Sequence, residues 1–182
     1  DGDWPPGGAS RWWLHHSLAR LDASLRRRRS TLVLRRGDSL EKLLELSRAT
    51  GAGAVHWNRR YEPSAVTRDE AVAEALRRTG LVVATHGGSM LVEPWDVRTK
   101  AGEPYRVFTP FWRTCQSQLE IAAPLPIPRL PLWKGPPLAS LSLDTLALLP
   151  RPEWTGGLRN CWAPGEDGAR HQLQRFLGSA DG

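Results

Sequence analysis

Five consecutive residues, Asn58-Arg59-Arg60-Tyr61-Glu62, bring together an amide, two guanidinium forks, a phenol and a carboxylate directly after the short apolar run Val55-His56-Trp57. The chemistry open to such a set is recognition. Guanidinium groups present planar forks of N–H donors, and an amide and a carboxylate add further donors and acceptors, so the group suits the polar rim of a flat aromatic ligand. The same residues have a plainer use, in which Arg59 or Arg60 pairs with Glu62 and Tyr61-Glu62-Pro63 docks the loop against a neighbouring domain. Residue chemistry leaves both readings open.

Bond-making chemistry finds less support. The histidines His15, His16, His56, His86 and His171 are scattered without a matched nucleophile or carboxylate, so surface or hydrogen-bonded core positions are expected for them. Cys115 and Cys161 are far apart and lack CxxC or Cys/His ligand spacing, which argues against a zinc site or disulfide framework and leaves two free thiols as the default. Gly51-Ala52-Gly53 precedes a strand rather than following one, so it cannot cradle a pyrophosphate at a helix amino terminus, and there is neither a dinucleotide fingerprint nor a P-loop. Hydrolytic triad spacing is absent as well.

A recognition cluster needs a scaffold, and the flanking sequence has the pattern of one. Leu14, Leu18, Leu21 and Leu25 recur at helical spacing between Ser10 and Arg28, and Arg26 to Arg29 close that helix where cations suit the negative end of the dipole. Thr31 to Leu34 reads as a buried strand. A second helix starts at Asp38, with Glu41 in the capping-box position, and ends at Gly51. The unit then repeats as strand Ala54 to Trp57, the Asn58 to Glu62 loop, a helix capped by Thr67 with Glu70 three residues on, a stop at Gly80, and strand Leu81 to Thr85. This is the grammar of βαβ units with right-handed crossovers, and it predicts a doubly wound, Rossmann-like parallel α/β sheet. Loops leaving the carboxyl ends of such strands gather along one edge, so Arg35 to Asp38, Asn58 to Glu62 and Thr85 to Ser89 are the candidate crevice. Beyond Met90 the sequence is turn-rich until a predicted helix from about Pro110 to Ile121. Six prolines between Pro124 and Pro137 then predict a semi-extended linker. A last amphipathic helix follows Pro164-Gly165-Glu166, with Ala169, Leu173, Phe176 and Leu177 on one face and no obvious partner in the chain.

Composition limits the remaining classes. The chain has 182 residues, enough for one domain with a core, and 40% hydrophobic content fits a soluble globular protein. No run of about 18 apolar residues exists, and the amino-terminal residues lack the parts of a signal peptide, so a cytosolic protein with no membrane partner is expected. The chain opens at Asp1 and its single Met is Met90, which reads as a piece of something larger. A net charge of +6 suits a polyanion such as DNA, although Arg-rich composition also follows from genomic base bias. Of nine tryptophans, Trp12, Trp13, Trp57 and Trp112 lie in apolar patterns and are expected in the core rather than on stacked bases.

The ordered pieces Ser17-Leu18-x-x-Leu21, Leu34-x-x-Gly37, Trp57-Asn58-Arg59-Arg60-Tyr61-Glu62-Pro63, Arg68-Asp69, Gly102-x-x-Tyr105-x-Val107-Phe108-Thr109-Pro110-Phe111-Trp112 and Trp162-x-Pro164-Gly165-Glu166-x-x-Ala169 resemble the amino-terminal α/β domain of DNA photolyases and cryptochromes. The resemblance implies a domain that holds a light-harvesting antenna chromophore and docks on a separate helical FAD domain. There the reduced flavin absorbs blue light and donates an electron to a cyclobutane pyrimidine dimer flipped out of damaged DNA. By the same resemblance Asn58, Arg59, Arg60 and Glu62 are the antenna-site or domain-interface residues, and no catalytic or metal-binding residue is expected in this chain. Residues 1–122 would form most of the antenna domain, 123–164 the interdomain linker, and 165–182 the start of the FAD domain.

Two departures from the family pattern carry expectations. The family's opening strand and the strand after it are not found before Ser10, and in a sheet ordered 3-2-1-4-5 their loss removes the centre. Thr31 to Leu34 should then lack a partner beside Ala54 to Trp57, leaving backbone donors unpaired and the fold marginal. Ser64 and Ala65 stand where folate-binding members resemble one another in carrying an amide and a carboxylate, so a deazaflavin-type antenna, or none, is expected over folate. The flavin-cradling and dimer-contacting residues of the family lie beyond the last helix, so this polypeptide alone should be an inactive monomer. Two other readings stand beside photolyase: a cryptochrome-like photoreceptor, and a stand-alone nucleotide- or flavin-binding α/β module. A basic DNA-binding accessory domain is a further one, marked by steep salt dependence.

Overall fold

The computed structural model describes residues 5–118 and 137–180, together with 123, 125, 126, 129 and 135. Element order is α1 (Gly8–Arg27), α2 (Ser39–Thr50), β1 (Ala54–Asn58), α3 (Pro63–Arg78), β2 (Val82–His86), α4 (Phe108–Gln118), a 3-10 turn (Asp144–Leu146), α5 (Gly156–Cys161) and α6 (Glu166–Ala180). The chain divides into two compact units, one comprising Asp1–Gly51 with Pro128–Gly182 and the other Ala52–Ile127. Among the described residues no helix is long and apolar enough to cross a membrane.

In the central unit the βαβ pattern folds as its periodicity implies. β1 and β2 pair in parallel, with Ala54 opposite Val82, His56 opposite Ala84 and Asn58 opposite His86. Helix α3 makes the crossover and packs on β2. Its apolar residues Ala65, Val72, Ala73 and Leu76 fall at helical spacing and are buried, Leu76 completely. Gly80 ends the helix in the left-handed region, at φ +86°, where a side chain would be strained. The protein is therefore an α/β fold with a small parallel sheet, two-stranded among the described residues.

The start of α3 lies a full turn earlier than predicted. Thr67 is not the cap: the helix begins at Pro63, Glu62 occupies the cap position without a side-chain bond, and the Thr67 hydroxyl donates to the Pro63 carbonyl at 3.1 Å. Proline suits the first helical turn because its missing N–H has no helical acceptor there, so it starts the helix without a hydroxyl cap. Helix α4 likewise begins at Phe108, two residues before the predicted start.

In the other unit, α2 follows its local code closely. Asp38 accepts a hydrogen bond from the Glu41 N–H at 2.9 Å, and Gly51 takes φ +67° at the carboxyl end. Thr31 to Leu34, by contrast, forms no strand. The segment is irregular and half-buried, with Leu32 N–H donating to Asp22 Oδ1 at 3.3 Å and Leu34 N–H to Ser140 Oγ at 2.9 Å. The Leu34 carbonyl accepts from Leu141 N–H at 3.0 Å. The expectation of unpaired donors fails at both leucines, because a helix side chain and a distant loop supply what a neighbouring strand would have given. The expected core tryptophans divide as well. Trp12 is 2% exposed and Trp57 half-buried, whereas Trp13 and Trp112 are 41% and 45% exposed. On α6 the predicted apolar face is bare, with Leu173, Phe176 and Leu177 all more than half exposed. Most of the proline-rich segment 124–137 lies outside the described residues.

Candidate functional site

The polar cluster leaves the carboxyl end of β1, at the edge where a parallel sheet presents its loops. Asn58 is the last residue of the strand, and Arg59 N–H donates to the His86 carbonyl at 2.8 Å, extending the ladder by one bond. That bond fixes the backbone of Arg59 and aims its side chain along the end of β2. Its Nη1 donates to the Thr85 carbonyl at 2.9 Å and to Thr85 Oγ1 at 3.3 Å, while Nη2 forms an ion pair with Glu93. The second oxygen of Glu93 accepts from the Tyr61 hydroxyl at 2.7 Å. The Trp95 ring closes the group, with the Arg59 guanidinium carbon 5.5 Å from its centroid and the Tyr61 ring 6.4 Å away.

Charge in this network is locked in one state. The Arg59 guanidinium, and then the Tyr61 hydroxyl, hold the Glu93 carboxyl below its ordinary pKa, and the hydrogen bond to Glu93 pushes the Tyr61 phenol up. The result is a fixed ion pair with an oriented phenol rather than a group poised to exchange protons near neutrality. Gly87 lies against it, and a Cβ there would stand 2.7 Å from Glu93 Oε1, so the carboxylate would have to shift.

The five predicted residues therefore part company. Arg59 and Tyr61 turn inward to Glu93 and Trp95, while Arg60 and Glu62 face outward and pair with each other at 3.3 Å from both Nε and Nη2. Asn58 is exposed and lies against Gly88, where a Cβ would fall 2.6 Å from its carboxamide carbon. Of the other predicted loops, Thr85 contributes directly and Arg35 to Asp38 belongs to the other compact unit. Arg68 pairs with Asp69 at 2.7 Å. Glu93 and Trp95 were absent from the sequence-derived set. Their only sequence signal is Glu93-Pro94-Trp95 itself, a charged and aromatic pair fixed by proline inside a stretch otherwise read as irregular.

Above this network opens a cavity of about 300 Å³, lined among others by Trp57, Arg59, Tyr61, Thr85, Trp95 and the α3 residue Asp69. That volume lies at the small end of ligand pockets and matches a flat heteroaromatic ring rather than a whole pigment. Two observations fit such a guest. Two tryptophans line the space, and Arg59, its guanidinium held between Thr85 and Glu93, forms part of the wall. A carboxylate for a folate is not available from Ala65, which is 3% exposed in the first turn of α3. Among the described residues no group of three or more His, Cys, Asp or Glu side chains could hold a metal ion.

Comparison with known proteins gives the lineage of this architecture. The DNA photolyase family model matches residues 1–131. The chain is 44% identical over 181 residues to a deoxyribodipyrimidine photo-lyase of Agrobacterium fabrum, covering 97% of this chain and 37% of that protein. It is 38% identical over 118 residues to cryptochrome-1 of Arabidopsis thaliana, covering 64% of this chain and 17% of that protein. A crystal structure of a bacterial class III photolyase from Agrobacterium tumefaciens superposes with a TM-score of 0.89 at 41% identity, covering 98% of this chain and 37% of that one. The chain thus spans little more than a third of the length of these photolyases. A βαβ crossover that delivers an arginine-rich loop to the edge of a parallel sheet, matched over most of its residues by one family's model, shows that this chain belongs to the DNA photolyase family.

Proposed function

We propose that this chain is the α/β portion of a deoxyribodipyrimidine photolyase, that it holds a light-harvesting chromophore, and that the protein as a whole repairs cyclobutane pyrimidine dimers in DNA. The observation that carries the reading is the cavity at the end of β1, walled by Trp57, Trp95 and Arg59. When bound, the pigment supplies absorbed excitation to an FAD held in a helical domain. The residues of this chain do the positioning. Trp57 and Trp95 flank the ring, the Arg59 guanidinium faces its rim, and Glu93 holds Arg59 in place. Arg60 and Glu62 stand on the exposed side, where they meet the pigment's polar tail or the FAD domain, and Asn58 offers its amide at the same edge. Ala65 supplies no carboxylate, which supports a deazaflavin-type ring over a folate.

The test uses the protein with its natural flanking sequence. Light-dependent restoration of a thymine-dimer oligonucleotide, absent in the dark, is expected. Arg59→Ala and Trp95→Ala should lose the antenna absorption while repair under direct flavin excitation continues. Flavin-loaded protein that repairs nothing in light would overturn the function, and full pigment retention in both variants would overturn the site. The spectrum of the released pigment decides between deazaflavin and folate. The similarity to cryptochrome-1 favours a second reading, a blue-light photoreceptor. It would appear as a light-driven spectral change without dimer repair.

A further inference from the structure

One exposed cluster lies outside the cavity and is not used by the proposed photochemistry. Side chains alternate between the faces of a strand, so Trp57 and Thr85 look toward α3 and the cavity, while His56, Asn58, Ala84 and His86 share the other face. There His56 Nδ1 and His86 Nε2 approach to 3.0 Å across the parallel pair. The two rings are nearly parallel, at 8°, with centroids 5.4 Å apart. This is too far for face-to-face contact and about equal to the nitrogen separation plus the two ring radii. The rings therefore meet edge to edge through nitrogen, one donating a hydrogen to the lone pair of the other. Both residues are exposed, and Gly87 and Gly88 directly after His86 place no side chain over it.

We propose that His56 and His86 form a two-imidazole site for a divalent transition metal, Cu2+ foremost. Metal–imidazole bonds of about 2.0–2.1 Å put two nitrogen ligands roughly 2.9 Å apart at a right angle and roughly 3.4 Å apart at a tetrahedral angle. The observed 3.0 Å matches the right-angled arrangement that tetragonal Cu2+ or Ni2+ takes. The metal replaces the shared hydrogen. A shift of tautomer moves the ring hydrogens to His56 Nε2 and His86 Nδ1, so both facing nitrogens offer lone pairs without net proton release. Each ring must also tilt so that the lone pairs converge, a soft motion for exposed imidazoles about their terminal torsion. Among the described residues no carboxylate or thiol completes the set, so water fills the remaining positions and the ion exchanges readily.

The experiment titrates Cu2+ into the purified protein, free of any histidine tag, and follows visible absorbance and electron paramagnetic resonance. Saturation at a single equivalent, with couplings from two nitrogens, is expected. His56→Gln and His86→Gln should each weaken binding by more than the ~10-fold that even outer-shell changes cause at metal sites. His171→Gln, on α6, should bind as the parent does. Unchanged affinity in the His56 and His86 variants, or loss of binding on replacing His15 instead, would overturn the site. Melting temperature in metal-free buffer shows that each variant is folded, so lost binding reports the ligands.

Discussion

Helices α3 and α6 have the same kind of sequence and different fates. Each carries apolar residues at helical spacing on one face and charge on the other. Helix α3 buries Ala65, Val72, Ala73 and Leu76, Leu76 with no exposed surface, whereas α6 leaves Leu173, Phe176 and Leu177 at 57%, 68% and 54% exposure. Periodicity thus states that a face is apolar and is silent on what covers it. Helix α3 lies between two strands that pair with each other, so chain connectivity alone brings its face onto β2. Helix α6 has no following element among the described residues to do the same.

The contrast can be broken most forcefully at Leu76. Replacing it with alanine removes a fully buried side chain and should cost about 2–5 kcal/mol in chemical denaturation. Leu173→Ala, the same substitution on α6, should stay within about 0.5 kcal/mol. An equal loss at the two sites would mean that the α6 face is covered after all.

Filling space tests the same core from the other side. Ala65→Leu should destabilise by about 1–3 kcal/mol through overpacking, read by the same denaturation curve. Helix starts extend the comparison. Asp38 bonds the α2 backbone and Glu62 makes no such bond to α3, so Asp38→Ala should lose about 1 kcal/mol and Glu62→Ala clearly less. The smallest effect concerns pH. Glu93 has its pKa lowered by Arg59 first and Tyr61 second, so its contribution is present above the ordinary carboxylate pKa and is lost as pH falls through the depressed value. The melting temperature of Glu93→Gln should therefore lie below the parent's at neutral pH and converge with it in acid. A gap independent of pH would detach the network from stability.

Much of the candidate site was legible because its signals are local. A strand that is followed by Arg59-Arg60-Tyr61-Glu62 places charge at the sheet edge wherever the rest of the chain goes, and Asp38, Glu41 and Gly51 delimit α2 from within a few residues. The failures share a cause. Thr31 to Leu34 has the composition of a strand, yet strand pairing requires a partner that composition does not name, and Asp22, Ser140 and Leu141 satisfy its backbone instead. Thr67 resembles a cap, yet Pro63 can start the helix a turn earlier.

By itself the sequence determined the βαβ order, both ends of α2 and the family, since each rests on spacing along the chain. Only the tertiary structure decided that Arg59 pairs with Glu93 rather than Glu62, that Tyr61 joins them, and that His56 meets His86. Those partners lie some 30 residues apart, and their union depends on the register of two parallel strands and the path of a loop. A local pattern constrains neither, because the free energy that selects them is shared among contacts across the whole unit.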